Sequence, residues 1–523
     1  MVRQAKAQRN GPGSSAGRRL PLRRIRWGRA LPLLPALLCI AAVSLTVSAA
    51  DIVAEALIQP RIFNGVVTFD FPFAGLLLKR DGAHGPWRSR CTLTLVRPDA
   101  VLTAAHCVCD AHGSLCQPGE RYAPVLERFR VLLQNAGLVE IQAAAIPWGF
   151  DFPDQDFAVL RLRTPVAGIA PAPLAQTLPA FATPGEIVGF GSTSAFGTER
   201  ATKRVGQVMT APCGYGLDDA DFICWASDGG STGANTCPGD SGAPLLTRDA
   251  LGRTVVAGIA SGGFGACDGD DLAFDTPVAR HLDVIEGWLS DAASVAPADV
   301  ARAQVLEGVL SSAAPRQLLS LEVPAGSTRL VAVGNGADGS DNDYVLRMAP
   351  GAPPSEHHGP CVSDQPGVFE ACVLPDPAPG TWFVSLDYGA GLGGDVQLSA
   401  TAYAPGCGLD VDADGRFDAL TDGVLVLRHL GGLSGSLLSA GAIGAGAGRP
   451  EPAAIAAFLD SGACVSALDL DQDGERRAGT DGTLVLRYLF GFVGPALVED
   501  AVSAQATRTG AGAITTALDA LRR

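Results

Sequence analysis

The chain has 523 residues, 47% of them hydrophobic, with 64 Gly and 36 Pro. That length exceeds one compact domain, and so many turn formers exclude long helical bundles, so three or four units rich in strands and loops are expected. A formal net charge of −15 excludes a nucleic-acid groove, which needs a basic stripe. Residues 1–50 run against the acidic trend, with nine Lys/Arg, no acid, and an apolar run from Leu31 to Val47 ending in Val47-Ser48-Ala49-Ala50. A basic region, an apolar core and a small-residue cleavage site predict a secretory signal peptide. The alternative is an uncleaved anchor, the one route to a membrane contact. With these nine positive charges set aside the net charge falls from −15 to −24, which favours solubility and cation binding.

Residues 51–61 read as a short propeptide, with Arg61 ahead of Ile62-Phe63-Asn64-Gly65. Cys91 to Val96 alternates and is rich in β-branched residues, which predicts a strand. After the turn Arg97-Pro98-Asp99 comes Val101-Leu102-Thr103-Ala104-Ala105-His106-Cys107. Asp156 heads a second apolar alternation through Leu162, the pattern of a buried strand. Asp151 and Asp154 are its rivals, set in an irregular stretch of Pro and Phe. Then follow Thr236-Cys237-Pro238-Gly239-Asp240-Ser241-Gly242-Ala243-Pro244, the strand-like Val255 to Gly263, and a helix-like segment from Val278 to Asp291.

These stretches, in this order, resemble the chymotrypsin-like (trypsin) family of serine peptidases. The resemblance implies two Greek-key β-barrels over residues 62–291 with a cleft between them. Ser241 would be the nucleophile, His106 the general base and Asp156 the carboxylate that orients the imidazole. The N–H groups of Gly239 and Ser241 would hold the oxyanion. Cleavage after Arg61 would free the ammonium of Ile62 to pair with Asp240, a buried ion pair that can act as a switch. The resemblance places the substrate pocket at Asn235, Ser261, Gly263, Ala273 and Asp275. Asn235 is neutral where a charged base would select Arg or Lys, whereas Asp275 on the far wall would restore that preference. Gly262 stands where the family usually has Trp.

Residues 292–316 are Ala/Asp-rich and read as a linker. From Gln317, short β-like runs separated by turn signals suggest a β-sandwich over 317–404. Val323-Pro324-Ala325-Gly326, Asp341-Asn342-Asp343-Tyr344-Val345 and Pro379-Gly380-Thr381-Trp382 resemble the bacterial pre-peptidase C-terminal domain. Residues 405–495 hold a repeat at an offset of 59 residues: Asp410-x-Asp412-x-Asp414-Gly415 returns as Asp469-x-Asp471-x-Asp473-Gly474. Three carboxylates around a Gly-bearing turn suit calcium, and the repeat resembles dockerin and EF-hand-like loops in a small α-helical module. Asp418, Asp422 and Asp481 complete the candidate ligands; the closing acid is one position late, and Arg477 stands where the first loop has Asp418. A cohesin-like partner does not follow from this. Residues 496–523 read as a loose tail.

Apart from Cys39, the 13 cysteines leave an even set, so disulfides are the default in an exported chain. Neighbours along the chain suggest Cys91–Cys107, Cys109–Cys116, Cys213–Cys224, Cys237–Cys267, Cys361–Cys372 and Cys407–Cys464. The expectation is a mainly β, secreted serine endopeptidase that needs no cofactor for catalysis, acts on proteins or peptides, and carries Ca²⁺ in its C-terminal repeats. The alternatives are a catalytically silent binding protein of the same fold and a calcium-dependent attachment protein.

Overall fold

Leucine- and valine-rich alternation in the first third builds a closed six-stranded barrel. Its strands are, in ring order, Ala74–Arg80, Trp87–Arg97, Ala100–Thr103, Ala158–Leu162, Gly137–Ala145 and Phe129–Leu133. Side chains alternate across a strand, so Leu77, Leu93, Leu95, Val131 and Leu160 fill its interior. In this computed structural model the described residues are 62–522 apart from 83, 110–125, 198–199, 229–232, 251, 290–297, 340 and 356–358. The expected signal segment, propeptide and Arg61 lie outside them, as does Cys116.

The second unit is a seven-stranded antiparallel sheet. Its order is Val66–Val67, Arg204–Met209, Pro184–Gly189, Pro244–Arg248, Thr254–Gly263, Asp270–Pro277 and Ile223–Asp228. The expected second closed barrel is not formed by a full ladder. Among the described residues a single bridge, Ala211 to Cys224, joins the two sides, next to the Cys213–Cys224 disulfide. Helix Leu282–Leu289 follows and buries Ile285 and Leu289 against the first barrel's core.

Two four-stranded antiparallel sheets come next. One runs Ala298–Leu310, Gly394–Pro405, Arg329–Gly336, Glu370–Pro375; the other runs Arg316–Val323, Gly380–Ala390, Asp343–Pro350, Cys361–Ser363. The expected linker over 292–316 is corrected here. Strand Ala298–Leu310 occupies most of it and pairs along its whole length with Gly394–Pro405. Its apolar residues Val300, Val305 and Val309 are exposed on an edge strand, so no hydrophobic alternation announced it. The core of this part is continuous with the outside of the first barrel: Leu76, Leu78, Trp87 and Leu132 pack with Leu330, Leu346, Leu398 and Tyr403.

The C-terminal part is helical. The repeat runs further than the carboxylate loops suggested. Helix Pro452–Leu459 in the first copy corresponds to Ala511–Asp519 in the second. The expected tail is therefore the last helix of the repeat. Ile514, Leu518 and Leu521 are buried with Leu409, Leu470 and Leu484, and Leu409 N–H donates to Leu521 O at 2.8 Å. Among the described residues five of the expected disulfides are formed; the sixth expected pair, Cys109–Cys116, includes a residue outside them. No helix among the described residues is long and apolar enough to cross a membrane.

Candidate active site

The imidazole of His106 is set by two neighbours. The short helix Ala105–Val108 carries it, and Cys91–Cys107 ties that helix to strand Trp87–Arg97. Asp156, fully buried at the head of strand Ala158–Leu162, accepts from His106 Nδ1 at 2.6 Å and from the His106 backbone N–H at 2.9 Å. Asp156 also accepts from Ser261 Oγ at 2.6 Å. With Nδ1 so engaged, Nε2 is the ring nitrogen left for proton transfer. Asp151 and Asp154 pair with each other in a small turn instead.

Ser241 sits on a loop fixed from the first barrel. Thr92 is the hub: its N–H donates to Ser241 O at 2.9 Å, its Oγ1 donates to Gly239 O at 3.2 Å, and Phe190 N–H donates to that Oγ1 at 3.2 Å. Gly242 has φ +82°, and a Cβ there would come within 2.2 Å of Thr103 Oγ1 and 2.4 Å of Thr92 O, so only glycine fits. Gly239 has φ +105°. The N–H groups of Asp240, Gly242 and Ala243 are used by neighbouring carbonyls, while those of Gly239 and Ser241 have no partner among the described residues. Two adjacent unused donors beside a serine are what an oxyanion needs.

Asp240 points away from this cleft and is fully buried. Its Oδ1 accepts from Gly191 N–H at 2.7 Å and its Oδ2 from Cys237 N–H at 2.9 Å. Burial pushes its carboxyl up to about 6, against the pull of those two hydrogen bonds. Ile62 is buried with Ile187, Val208 and Ala234, and Phe63 bridges to Asn235.

Ser241, Ser261, Gly263, Thr236 and Asp271 line a cavity of about 510 Å³. The pocket expectations split here. Ser261 and Gly263 line it, whereas Ala273 and Asp275 lie behind it in the sheet. Asp275 pairs in register with Ala260 and Ile223, and its carboxylate rests against Gly258. Both its oxygens are buried without a hydrogen-bond partner, and burial holds its carboxyl well above the usual range. Asn235 does not open into the cavity either: its Nδ2 donates to Asp271 Oδ2 at 2.9 Å and to Cys267 O at 3.2 Å. The acid of the pocket is Asp271, four residues past Cys267, which sequence reasoning missed. Gly265 N–H donates to its Oδ1 at 2.6 Å. The space of a Trp at position 262 is filled from elsewhere: a Cβ on Gly262 would lie 2.8 Å from Phe274 and 3.5 Å from Phe152, whose ring meets the His106 edge at 5.5 Å.

The candidate metal ligands also sort by geometry. Asp410, Asp412 and Asp422 bring carboxylate oxygens within 4.8 Å of one another, as do Asp469, Asp471 and Asp481. The late closing acid is accommodated by a π-helical turn, Ala419–Gly423 in one loop and Ala478–Gly482 in the other. The wider turn takes up one extra residue and swings the thirteenth position inward. Asp412 Oδ1 is buried with no hydrogen-bond partner, and burial raises Asp410 to about 6 and Asp422 to about 7. Such an orphaned, crowded carboxylate set fits a hard cation. Asp414 and Asp418 lie outside the tight trio, accepting from Arg416 N–H and Leu420 N–H. Asp473 is ion-paired with Arg477, the residue that replaces Asp418.

The model of the family described as Trypsin matches residues 69–285. The chain is similar to a Trypsin of Saccharopolyspora erythraea, 31% identical over 41% of this chain and 92% of that one. It is also similar to Trypsin iota of Drosophila melanogaster, 28% identical over 40% of this chain and 84% of the other. Trypsin-1 of Astacus astacus is 27% identical over 38% and 86%. A relative at this identity along nearly its whole length, matched over the two β units that frame the cleft, makes the chain a member of the trypsin family and a serine-type endopeptidase.

Proposed function

We propose that the enzyme hydrolyses peptide bonds of proteins or peptides through Ser241, His106 and Asp156. His106 Nε2 takes the proton of Ser241 Oγ as that oxygen attacks the scissile carbonyl carbon. The tetrahedral oxyanion rests on the N–H groups of Gly239 and Ser241. On collapse the C–N bond breaks, His106 returns the proton to the leaving amine, and water releases the acyl group by the same route. Asp156 fixes the Nδ1–H tautomer and stabilises the imidazolium. The observation that carries this reading is the 2.6 Å contact from His106 Nδ1 to buried Asp156, together with a serine loop whose Gly239 and Ser241 N–H groups have no partner among the described residues.

The pocket supports a basic side chain before the scissile bond, received by Asp271. Cleavage after Arg61 would generate an ammonium at Ile62 for Asp240, which fits a precursor that such an enzyme could activate itself. Secretion is supported by the leader pattern and the five disulfides. The two four-stranded sheets are read as a β-sandwich like the pre-peptidase C-terminal domain. The helical repeat is read as a dockerin-like pair that holds calcium through Asp410, Asp412 and Asp422, and through Asp469, Asp471 and Asp481.

Turnover of a peptide substrate by the activated chain and by its Ser241→Ala variant tests the reading. The variant is expected to lose at least about 10³-fold in kcat; activity surviving it would assign the chemistry elsewhere.

A further inference from the structure

The nucleophile loop is held from residues 190 and 191, and these, with residues 200–203, are held from the second β part of the chain. Phe190 N–H reaches Thr92 Oγ1, which grips Gly239 O, and Gly191 N–H reaches Asp240 Oδ1. The Phe190 side chain is buried in the core shared with the later sheets, beside Ala201. Phe190 O accepts from Ala201 N–H at 2.7 Å. Ala201 has φ +76°, a left-handed backbone that a residue with a Cβ adopts only when its surroundings impose it.

What imposes it comes from outside the peptidase unit. Asn335, in strand Arg329–Gly336, donates from Nδ2 to Ala201 O at 2.6 Å. Gln397, in strand Gly394–Pro405, accepts Lys203 N–H at 2.7 Å and donates to Thr68 O at 3.1 Å. Gln134 of the first barrel donates to both amide oxygens, at 3.2 Å and 3.0 Å. Asn335 and Gln397 are fully buried and Gln134 nearly so. Asp338 N–H meets Arg200 O, and the Asp338 carboxylate pairs with Arg88 at 2.9 Å. Buried amide networks of this kind fix one arrangement because each unmade bond is costly.

We propose that the second β part is a positioning element of the peptidase: Asn335 and Gln397 hold residues 201–203 and residue 68, and through them Phe190 and Gly191, in the shape that sets Gly239, Asp240 and therefore Ser241. This rests on Ser241 being the nucleophile. The module is then needed for turnover, and Asn335 and Gln397 act on kcat through the loop without touching substrate.

The test uses the full activated chain, with Asn335→Ala and Gln397→Ala set beside Tyr403→Phe. Tyr403 OH donates to Asn135 O at 2.7 Å across the same interface, away from residues 201–203. The two amide variants should lower kcat, and the rate of phosphonate labelling of Ser241, roughly 10–100-fold with KM changed less than about two-fold. Tyr403→Phe should lower the unfolding temperature while leaving kcat intact. Should Asn335→Ala fail to fold, Asn335→Asp keeps the shape, replaces the donor to Ala201 O and Gln397 Oε1 by an oxygen, and is read by the same split. Full kcat in folded amide variants, or an equal kcat loss in Tyr403→Phe, would overturn the positioning role. An inactive wild-type chain, or an active Ser241→Ala chain, would instead sink the nucleophile assignment on which it rests.

Discussion

Asp271 and Asp275 carry the same functional group four residues apart, and the sheet gives them opposite fates. Asp275 faces Gly258 in the interior, where no partner offsets the cost of a charge, so burial raises its carboxyl well above the usual range. Asp271 stands at the cavity wall with Asn235 and Gly265 donating to it, which fixes the direction of its carboxylate. Asp271→Asn should therefore cut kcat/KM for substrates with Arg or Lys before the scissile bond on the order of 10–100-fold. Substrates with an apolar residue there should change far less. Asp275→Asn should leave that ratio unaltered, and competition between paired peptides reads both outcomes. The residues proposed as the triad could be singled out from sequence because each sits in a contiguous motif. Asp271 was not, because its place depends on the register of strand Asp270–Pro277 against Thr254–Gly263, which shifts between Ala260 and Gly262.

Asp240 supports a second prediction at this scale. In the uncleaved chain its carboxyl titrates near 6, above the ordinary 3.8, so the folded state binds the proton more tightly than the unfolded state does. Its contribution to stability is present at low pH and is lost as pH rises from about 4 to above 6. An ammonium at Ile62 would remove that loss. Denaturation of the Ser241→Ala chain before and after cleavage at Arg61 should show a stability gap that widens by on the order of 2–3 kcal/mol between pH 4 and pH 7. A gap of equal size at both pH values would mean that Asp240 is not the ammonium's partner.

At the scale of elements, the repeat shows what a sequence pattern conceals. The closing acid looked one residue out of place, yet the π-helical turns Ala419–Gly423 and Ala478–Gly482 absorb the extra residue. The last helix reads as a tail in the sequence because its resemblance to Pro452–Leu459 rests on few apolar positions, chiefly Ile514 and Leu518 against Ile455 and Leu459. Calcium should raise the unfolding temperature of the full chain. Asp422→Asn should weaken that response on the order of 10-fold or more in calcium affinity, because it removes one charge from a three-carboxylate set. Calorimetric titration checks this; an unchanged affinity would place the ion elsewhere.

At the scale of the whole molecule, the units read along the sequence as a train are joined through buried surface. Leu76, Leu78, Trp87 and Leu132 leave the first barrel's face to share a core with the later sheets, and Gln134, Asn335 and Gln397 interlock beneath it. Sequence patterns report which face of an element is apolar, not which neighbour covers it, so this joint was not legible, nor was the strand Ala298–Leu310 that begins it. The proposed chemistry is still local: one serine, in this cleft, would perform the hydrolysis. The direct measurement is mass-spectrometric mapping of the adduct formed by an organophosphonate with the activated chain. A single adduct on Ser241, formed at a rate that falls by about 10³-fold or more in His106→Ala, is the predicted result. A chain that cleaves peptides while Ser241 stays unmodified, or one labelled as fast without His106, would contradict it.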